Sequence, residues 1–68
     1  MINIELVCTK SPNPWFTEGR VYTATKRDTL ADFEVYTVWD DEHDFDWSVI
    51  RNKDGFKIPI GVQFEVAK

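Results

Sequence analysis

Phe33-Glu34-Val35-Tyr36-Thr37-Val38-Trp39-Asp40-Asp41-Glu42-His43-Asp44-Phe45-Asp46-Trp47-Ser48-Val49-Ile50 is the stretch whose reading decides the fold. In its first half Phe33, Val35, Thr37 and Trp39 fall on one face and Glu34, Tyr36, Val38 and Asp40 on the other. A period of two belongs to a strand. Asp40 to Asp44 has the acceptor-rich composition of a turn, and beyond it Phe45, Trp47 and Val49 alternate with Asp46, Ser48 and Ile50. The stretch therefore predicts a hairpin: a strand over 32–40, an acidic tip, and a second strand that begins at Phe45.

Working towards the N-terminus, Arg27 to Asp32 is a polar connection, and Arg20 to Arg27 is rich in Val, Tyr and Thr, which suit a pleated, half-buried surface. Ser11-Pro12-Asn13-Pro14 cannot continue a central strand, because proline lacks an amide donor and restricts the residue before it. Ile2, Ile4, Leu6 and Cys8 alternate with Asn3, Glu5, Val7 and Thr9, which predicts a first strand over 2–9. Towards the C-terminus, Asn52-Lys53-Asp54-Gly55 reads as a tight turn, since Asp-Gly supplies the positive φ such turns demand. Pro59 confines the extended piece from Phe56 to an edge, and Gly61 breaks it before Val62, Phe64 and Val66 form a last strand.

No window shows a convincing helical period. Five or six short strands in 68 residues predict an all-β domain over 1–68, a small closed or half-closed antiparallel barrel with little or no helix. Ten aromatic side chains give so short a chain the apolar area that a core requires.

The run Trp15-Phe16-Thr17-Glu18-Gly19-Arg20-Val21-Tyr22 carries a phenylalanine, threonine, any residue, glycine, lysine or arginine, any residue, tyrosine pattern. It resembles the opening of small SH3-like barrel proteins encoded by tailed bacteriophages. Val38-Trp39-Asp40-Asp41-Glu42 is similar to their acidic hairpin and Gln63-Phe64-Glu65-Val66 to their last strand, while Phe56 to Gly61 departs from the family pattern. The resemblance implies a bacteriophage origin, a place in the host bacterial cytoplasm, and a binding role rather than a named activity.

Charge is segregated. Asp32 to Asp46 holds seven acidic side chains and no Lys or Arg, and the net charge of −4 conceals an excess of positive charge elsewhere. An acidic chain is a poor generic ligand for nucleic acid, whose non-specific binding rests on Lys and Arg at phosphates. The single cysteine excludes an intramolecular disulfide and suggests a reducing compartment, and no apolar run approaches the length of a membrane span. Cys8 shares a face with Leu6, which makes it a buried, inert thiol.

The candidate site is the acidic hairpin with its aromatic flanks: Asp40, Asp41, Glu42, Asp44 and Asp46 with Trp39, Trp47, Tyr36 and Trp15. Rings supply apolar contact and carboxylates select charge, which suits a basic or proline-containing segment. The bland alternatives are a solvated turn and tryptophans that serve the core, with Trp39 and Trp47 structural and Trp15, in the proline loop, partly exposed. Four alternating acids suggest Ca²⁺, but the glycine and terminal Glu of a calcium loop are missing, so no metal and no cofactor are expected. His43, the single histidine, lies within three residues of five carboxylates.

No nucleophile with an orienting base can be identified, so the chain does not read as an enzyme. The expectation is a non-enzymatic accessory protein that binds a host bacterial protein, itself basic or nucleic-acid-binding, through the hairpin, and inhibits a nucleic-acid enzyme by placing carboxylates where phosphates sit. Arg20, Tyr22 and Lys26 offer an alternative nucleic-acid face. Pairing of the acidic segment with basic residues of a neighbouring copy would give a homo-oligomer.

Overall fold

The computed structural model describes residues 2–53 and 55–67. Six strands, β1 (Asn3–Lys10), β2 (Val21–Thr29), β3 (Glu34–Trp39), β4 (Asp46–Asn52), β5 (Gly55–Ile58) and β6 (Val62–Val66), follow one another around a closed barrel. All six pairings are antiparallel, and β1 closes the ring against β6 through pairs such as Leu6↔Val66 and Cys8↔Phe64. Closure removes the free edges that a small open sheet would expose. No helix occurs among the described residues, so none there is long and apolar enough to cross a membrane.

The alternation in the sequence becomes an inside and an outside. Leu6 and Cys8 of β1, Tyr22 and Ala24 of β2, and Tyr36 and Val38 of β3 turn inward and are buried. Val49, Phe56, Ile58, Val62 and Phe64 complete the ring of inward positions from β4 to β6. Phe16 comes from the 11–20 loop and plugs one end, its ring 5.3 Å from Tyr22, 5.6 Å from Phe64 and 6.2 Å from Trp47, all edge-on. Edge-to-face pairs of this kind add about 0.5–1.5 kcal/mol each beyond the area they bury.

Three expectations change. The piece after Gly55 is no edge strand: β5 pairs with β4 through Arg51↔Phe56 and with β6 through Phe56↔Phe64. Pro59 falls one residue past its end, in the turn where Gly61 N–H donates to Ile58 C=O at 3.1 Å, so its missing donor costs no rung. Second, β2 runs through Arg27 and Asp28 to Thr29, accommodated by a bulge between Lys26 and Asp28, and only residues 30–33 connect it to β3. Third, the inward row of β3 is the one containing Tyr36 and Val38, which places Trp39 outside at 49% exposure rather than in the core. Of the tight turn before Gly55, Asp54 lies outside the described residues, and Gly55 itself has φ 116°.

The meander puts three connections at one end of the barrel: the 11–20 loop, the 40–45 hairpin tip and the 59–61 turn. At this end the chain is closely fitted. Gly61 has φ 94°, and a Cβ there would lie 3.1 Å from Pro12 Cγ. Gly19, with φ 88°, closes the turn in which Arg20 N–H donates to Thr17 C=O at 3.1 Å.

Candidate functional site

The 11–20 loop and the hairpin tip are bonded to each other. Asp41 N–H donates to Trp15 C=O at 2.9 Å, and the Asp41 carboxylate accepts from Thr17 Oγ1 and from the Tyr22 hydroxyl, both at 2.6 Å. The Arg20 guanidinium lies 3.3 Å from the same carboxylate, and Tyr22 O accepts from Thr17 N–H at 2.8 Å. Burial works to raise the pKa of Asp41, but the hydrogen bonds from Thr17 and Tyr22 and the charge of Arg20 outweigh it and hold the group below the usual carboxylate range. For Tyr22, burial and then the bond to Asp41 push the phenol up.

Asp40 is also structural. It is 1% exposed, the buried charged residue among those described, and its Oδ2 accepts from Trp47 Nε1 at 3.2 Å while Oδ1 accepts from Glu42 N–H at 3.2 Å. Asp40 and Asp41 therefore build the tip rather than face solvent. His43 completes the turn at φ 57°, a left-handed conformation in which its N–H donates to Asp40 C=O at 3.1 Å. Glu42, Asp44 and Asp46 are the acids of the tip that stay exposed.

The proline loop sets Trp15. Ser11 Oγ donates to Asn13 C=O at 2.9 Å and Trp15 N–H to Asn13 Oδ1 at 3.1 Å, a local turn that lays the Trp15 ring on Trp47 with centroids 5.4 Å apart and planes 29° from parallel. Trp15 is 39% exposed as expected, and Trp47 is half-buried. With Phe45, 66% exposed, and Asp46 they line an open depression of about 330 Å³. Phe45 is the functional candidate that sequence reasoning missed. The signal was its flanks: an aromatic between two acids in a turn has no inward face to occupy.

Trp39 and Asp46 are cross-strand partners. On the far side of Trp39 lies a second groove of about 460 Å³, lined by Arg20, Val21, Thr23, Trp39, Asp41 and His43. The groove and the aromatic depression are thus linked through the Trp39↔Asp46 pair, one residue lining each.

Tyr36 is not part of this surface. It is buried, packs on Phe56 with centroids 5.7 Å apart, and donates its hydroxyl to Glu34 Oε1 at 3.2 Å at the other end of β3. Arg20, Tyr22 and Lys26 do not make a nucleic-acid face either. The parity they share is that of the inward row of β2, so Tyr22 is in the core, Arg20 meets Asp41 at one end, and Lys26 Nζ meets Glu34 at 2.9 Å at the other. Arg51 also pairs with Glu34, at 3.0 Å, so the acids Asp32 to Asp46 divide between the two ends of the barrel.

Cys8 is buried, its Sγ 3.6 Å from Lys10 C=O, and burial pushes the thiol pKa up, away from the thiolate that nucleophilic chemistry needs. Among the described residues no three His, Cys, Asp or Glu side chains gather in a group that would hold a metal ion. What the tip presents is the rings of Phe45, Trp15 and the half-buried Trp47 beside three exposed carboxylates, Glu42, Asp44 and Asp46. Compared with models of protein families, with curated proteins and with solved structures, the chain matches none.

Proposed function

We propose that this barrel is a non-catalytic binding module whose ligand is a basic, apolar-bearing segment of another protein, taken up by the hairpin tip and the Trp15 loop. The observation that carries the reading is the exposed surface of Phe45, Trp15 and Trp47 bordered by Asp46, with Asp44 and Glu42 alongside. Stacked rings offer rigid contact area at small entropic cost, and exposed carboxylates steer a cationic partner during encounter. Both are supported from behind by Asp40 and Asp41, which hold the tip in place.

The likeness of the Phe16-Thr17-Glu18-Gly19-Arg20-Val21-Tyr22 run to small phage barrels supports a finer version. In it the chain is an SH3-like viral accessory protein, and the partner is a basic, nucleic-acid-binding protein of a bacterial host. The test is capture from bacterial lysate with the intact chain and with the variant Asp44→Asn/Phe45→Ser/Asp46→Asn, whose side chains are exposed and serve no core contact. The expected outcome is one basic protein retained by the intact chain, lost by the variant, and released in about 1 M salt, where charges are screened within about 3 Å. Identical retention by the two baits sinks the reading. Displacement of the captured protein by duplex DNA decides whether the module occupies a phosphate-binding site.

A further inference from the structure

The aromatic depression is rich in rings and poor in hydrogen-bond acceptors. Trp15, Phe45, Asp46 and Trp47 line it, and of their side chains only that of Asp46 can accept a strong hydrogen bond. Two main-chain acceptors are already in use: Phe45 C=O accepts from Asp40 N–H at 3.4 Å, and Trp15 C=O accepts from Asp41 N–H at 2.9 Å. The indole N–H of Trp47 is spent on Asp40 Oδ2 at 3.2 Å. What the depression holds out to a ligand is therefore aromatic surface and the exposed Asp46 carboxylate, which has no ion-pair partner among the described residues.

The two tryptophans are fixed before any ligand arrives. Trp47 is tied to the buried Asp40, Phe16 stands edge-on to it with ring centroids 6.2 Å apart, and Trp15 lies on it with centroids 5.4 Å apart. Asn13 and Asp41 hold the main chain of Trp15. A site ordered in advance spares a ligand the entropy of ordering it. The face of an aromatic ring attracts a cation within about 6 Å of its centroid, most strongly for Trp. Among the described residues no Lys or Arg lines this depression. The 460 Å³ groove also has a tryptophan, Trp39, but it is a poorer host for positive charge: Arg20 stands in it, and the Asp41 carboxylate there is spent on Arg20, Thr17 and Tyr22.

We infer that the depression formed by Trp15, Phe45, Asp46 and Trp47 receives a cation without N–H groups, the trimethylated side chain of a lysine on the partner protein. The supply of acceptors selects it. An ammonium or a guanidinium brings several N–H donors, and each donor drawn from water without an acceptor costs affinity. One carboxylate cannot serve them all. A trimethylammonium group has no donor to satisfy: its methyl groups carry the charge and rest on the rings, and Asp46 balances that charge. An open depression encloses a free small cation too little to hold it tightly, which commits the site to a cation carried on a protein, whose remaining surface adds contacts. The inference rests on the binding function proposed above and names the side chain that the basic segment inserts.

The test titrates short peptides into the whole, isotopically labelled chain and follows the indole N–H resonances of Trp15, Trp39 and Trp47. The peptides differ at one central residue: trimethyl-lysine, lysine, arginine, or the uncharged tert-butyl isostere of trimethyl-lysine. The trimethyl-lysine peptide is expected to shift Trp15 and Trp47 more than Trp39, and to bind at least about tenfold more tightly than the lysine and arginine peptides. It should bind at least about threefold more tightly than the uncharged isostere, the margin of a cation on exposed rings. Phe45→Leu keeps an apolar side chain at an exposed position but removes a ring, and Asp46→Asn removes the charge, so each should narrow that margin. A margin that both variants leave unchanged overturns the inference. So does equal binding of the uncharged isostere, which makes the depression a plain apolar contact, or a largest shift at Trp39, which puts the cation in the other groove. Tetramethylammonium that binds as tightly as the peptide assigns the site to a free small cation and overturns the protein source. Lysine or arginine peptides that bind as tightly as trimethyl-lysine overturn the inference and leave the basic-segment reading intact. Failure of every peptide to bind overturns it too, and the lysate capture with Asp44→Asn/Phe45→Ser/Asp46→Asn then decides separately whether the wider binding function stands.

Discussion

The indole N–H of Trp47 donates to Asp40 Oδ2 at 3.2 Å across the base of the hairpin, and a second bond, from Glu42 N–H to Oδ1, leaves neither oxygen of this buried carboxylate idle. Truncation would leave two donors without their acceptor beside a buried position, whereas an amide of the same shape keeps one acceptor. Asp40→Ala is therefore expected to lower stability by about 1–3 kcal/mol, and Asp40→Asn by less. Urea unfolding checks it through the midpoint at constant slope. Equal loss in the two variants would mean that the bonds contribute nothing net.

Asp41 and Glu34 should give the chain an acid limb. At Asp41 burial acts upward but is outweighed by Thr17, Tyr22 and Arg20; at Glu34 the hydrogen bond from Lys26 leads and lowers the pKa against burial. A carboxylate whose folded pKa lies below its unfolded value, about 4, adds stability above that value and loses it as pH falls through the folded pKa. The urea midpoint should hold between about pH 7 and pH 5 and drop below about pH 4, and the drop should flatten in Asp41→Asn/Glu34→Gln. An acid limb as steep in the variant as in the parent would assign it to other groups.

Tyr22 should resist ionisation. Burial, then its bond to Asp41, raises its pKa above about 10, the ordinary value, so the stability it adds is present below that pH and is lost as pH rises through the folded value. The near-ultraviolet phenolate absorbance of Tyr36→Phe, in which Tyr22 is the tyrosine left, should rise later than that of free tyrosine, and should move to lower pH when Asp41→Asn is added. An unchanged titration in the double variant contradicts the assignment.

Gly61→Ala and Gly19→Ala separate two effects that glycine combines. Both positions have positive φ, but only at Gly61 would the new Cβ meet another group, Pro12 Cγ at 3.1 Å, while at Gly19 nothing lies within 4 Å. Each should cost about 1 kcal/mol or more for the conformation, and Gly61→Ala should cost more than Gly19→Ala. Thermal unfolding of the two variants gives the order directly.

Trp39 and Phe16 should answer oppositely to truncation. Phe16→Ala removes the ring that seals one barrel end and is expected to cost about 3–5 kcal/mol, enough to unfold much of a chain this small. Trp39→Ala, at an outward position, should change stability by no more than about 0.5 kcal/mol. Its effect should appear in binding instead, as weaker retention of the protein captured from bacterial lysate.

The hairpin was legible because alternation from Phe33 to Ile50 is unbroken and the acids between can only turn. Which face of β3 is buried was not, because Phe33, Val35 and Trp39 compete with Tyr36 and Val38 in apolar content, and the choice is made by the register of β3 against β2 and β4. That choice also separates Asp40 from Asp44, two acids alike in the sequence: Asp40 continues the inward row of Tyr36 and Val38 and finds the Trp47 indole there. Likewise Arg20, Tyr22 and Lys26 share a parity, but parity alone does not tell inside from outside. Pro59 suggested an edge because the end of β5 falls one residue before it, a margin smaller than sequence patterns resolve.

The ring of strands follows chain order, so each hairpin brings together neighbours in sequence and only the β1–β6 seam joins the two extremes of the chain. Ala67 N–H donates to Glu5 C=O at 2.9 Å beside the start of β1, which sets both ends of the barrel chain on one rim. A circular permutant, with a short linker from residue 67 to residue 2 and new ends opened between residues 30 and 33, would turn the seam into an ordinary hairpin and the β2–β3 hairpin into the seam. Closing the longest loop is the slow part of assembling such a sheet, so refolding of the permutant would report which pair of strands the native order leaves until last.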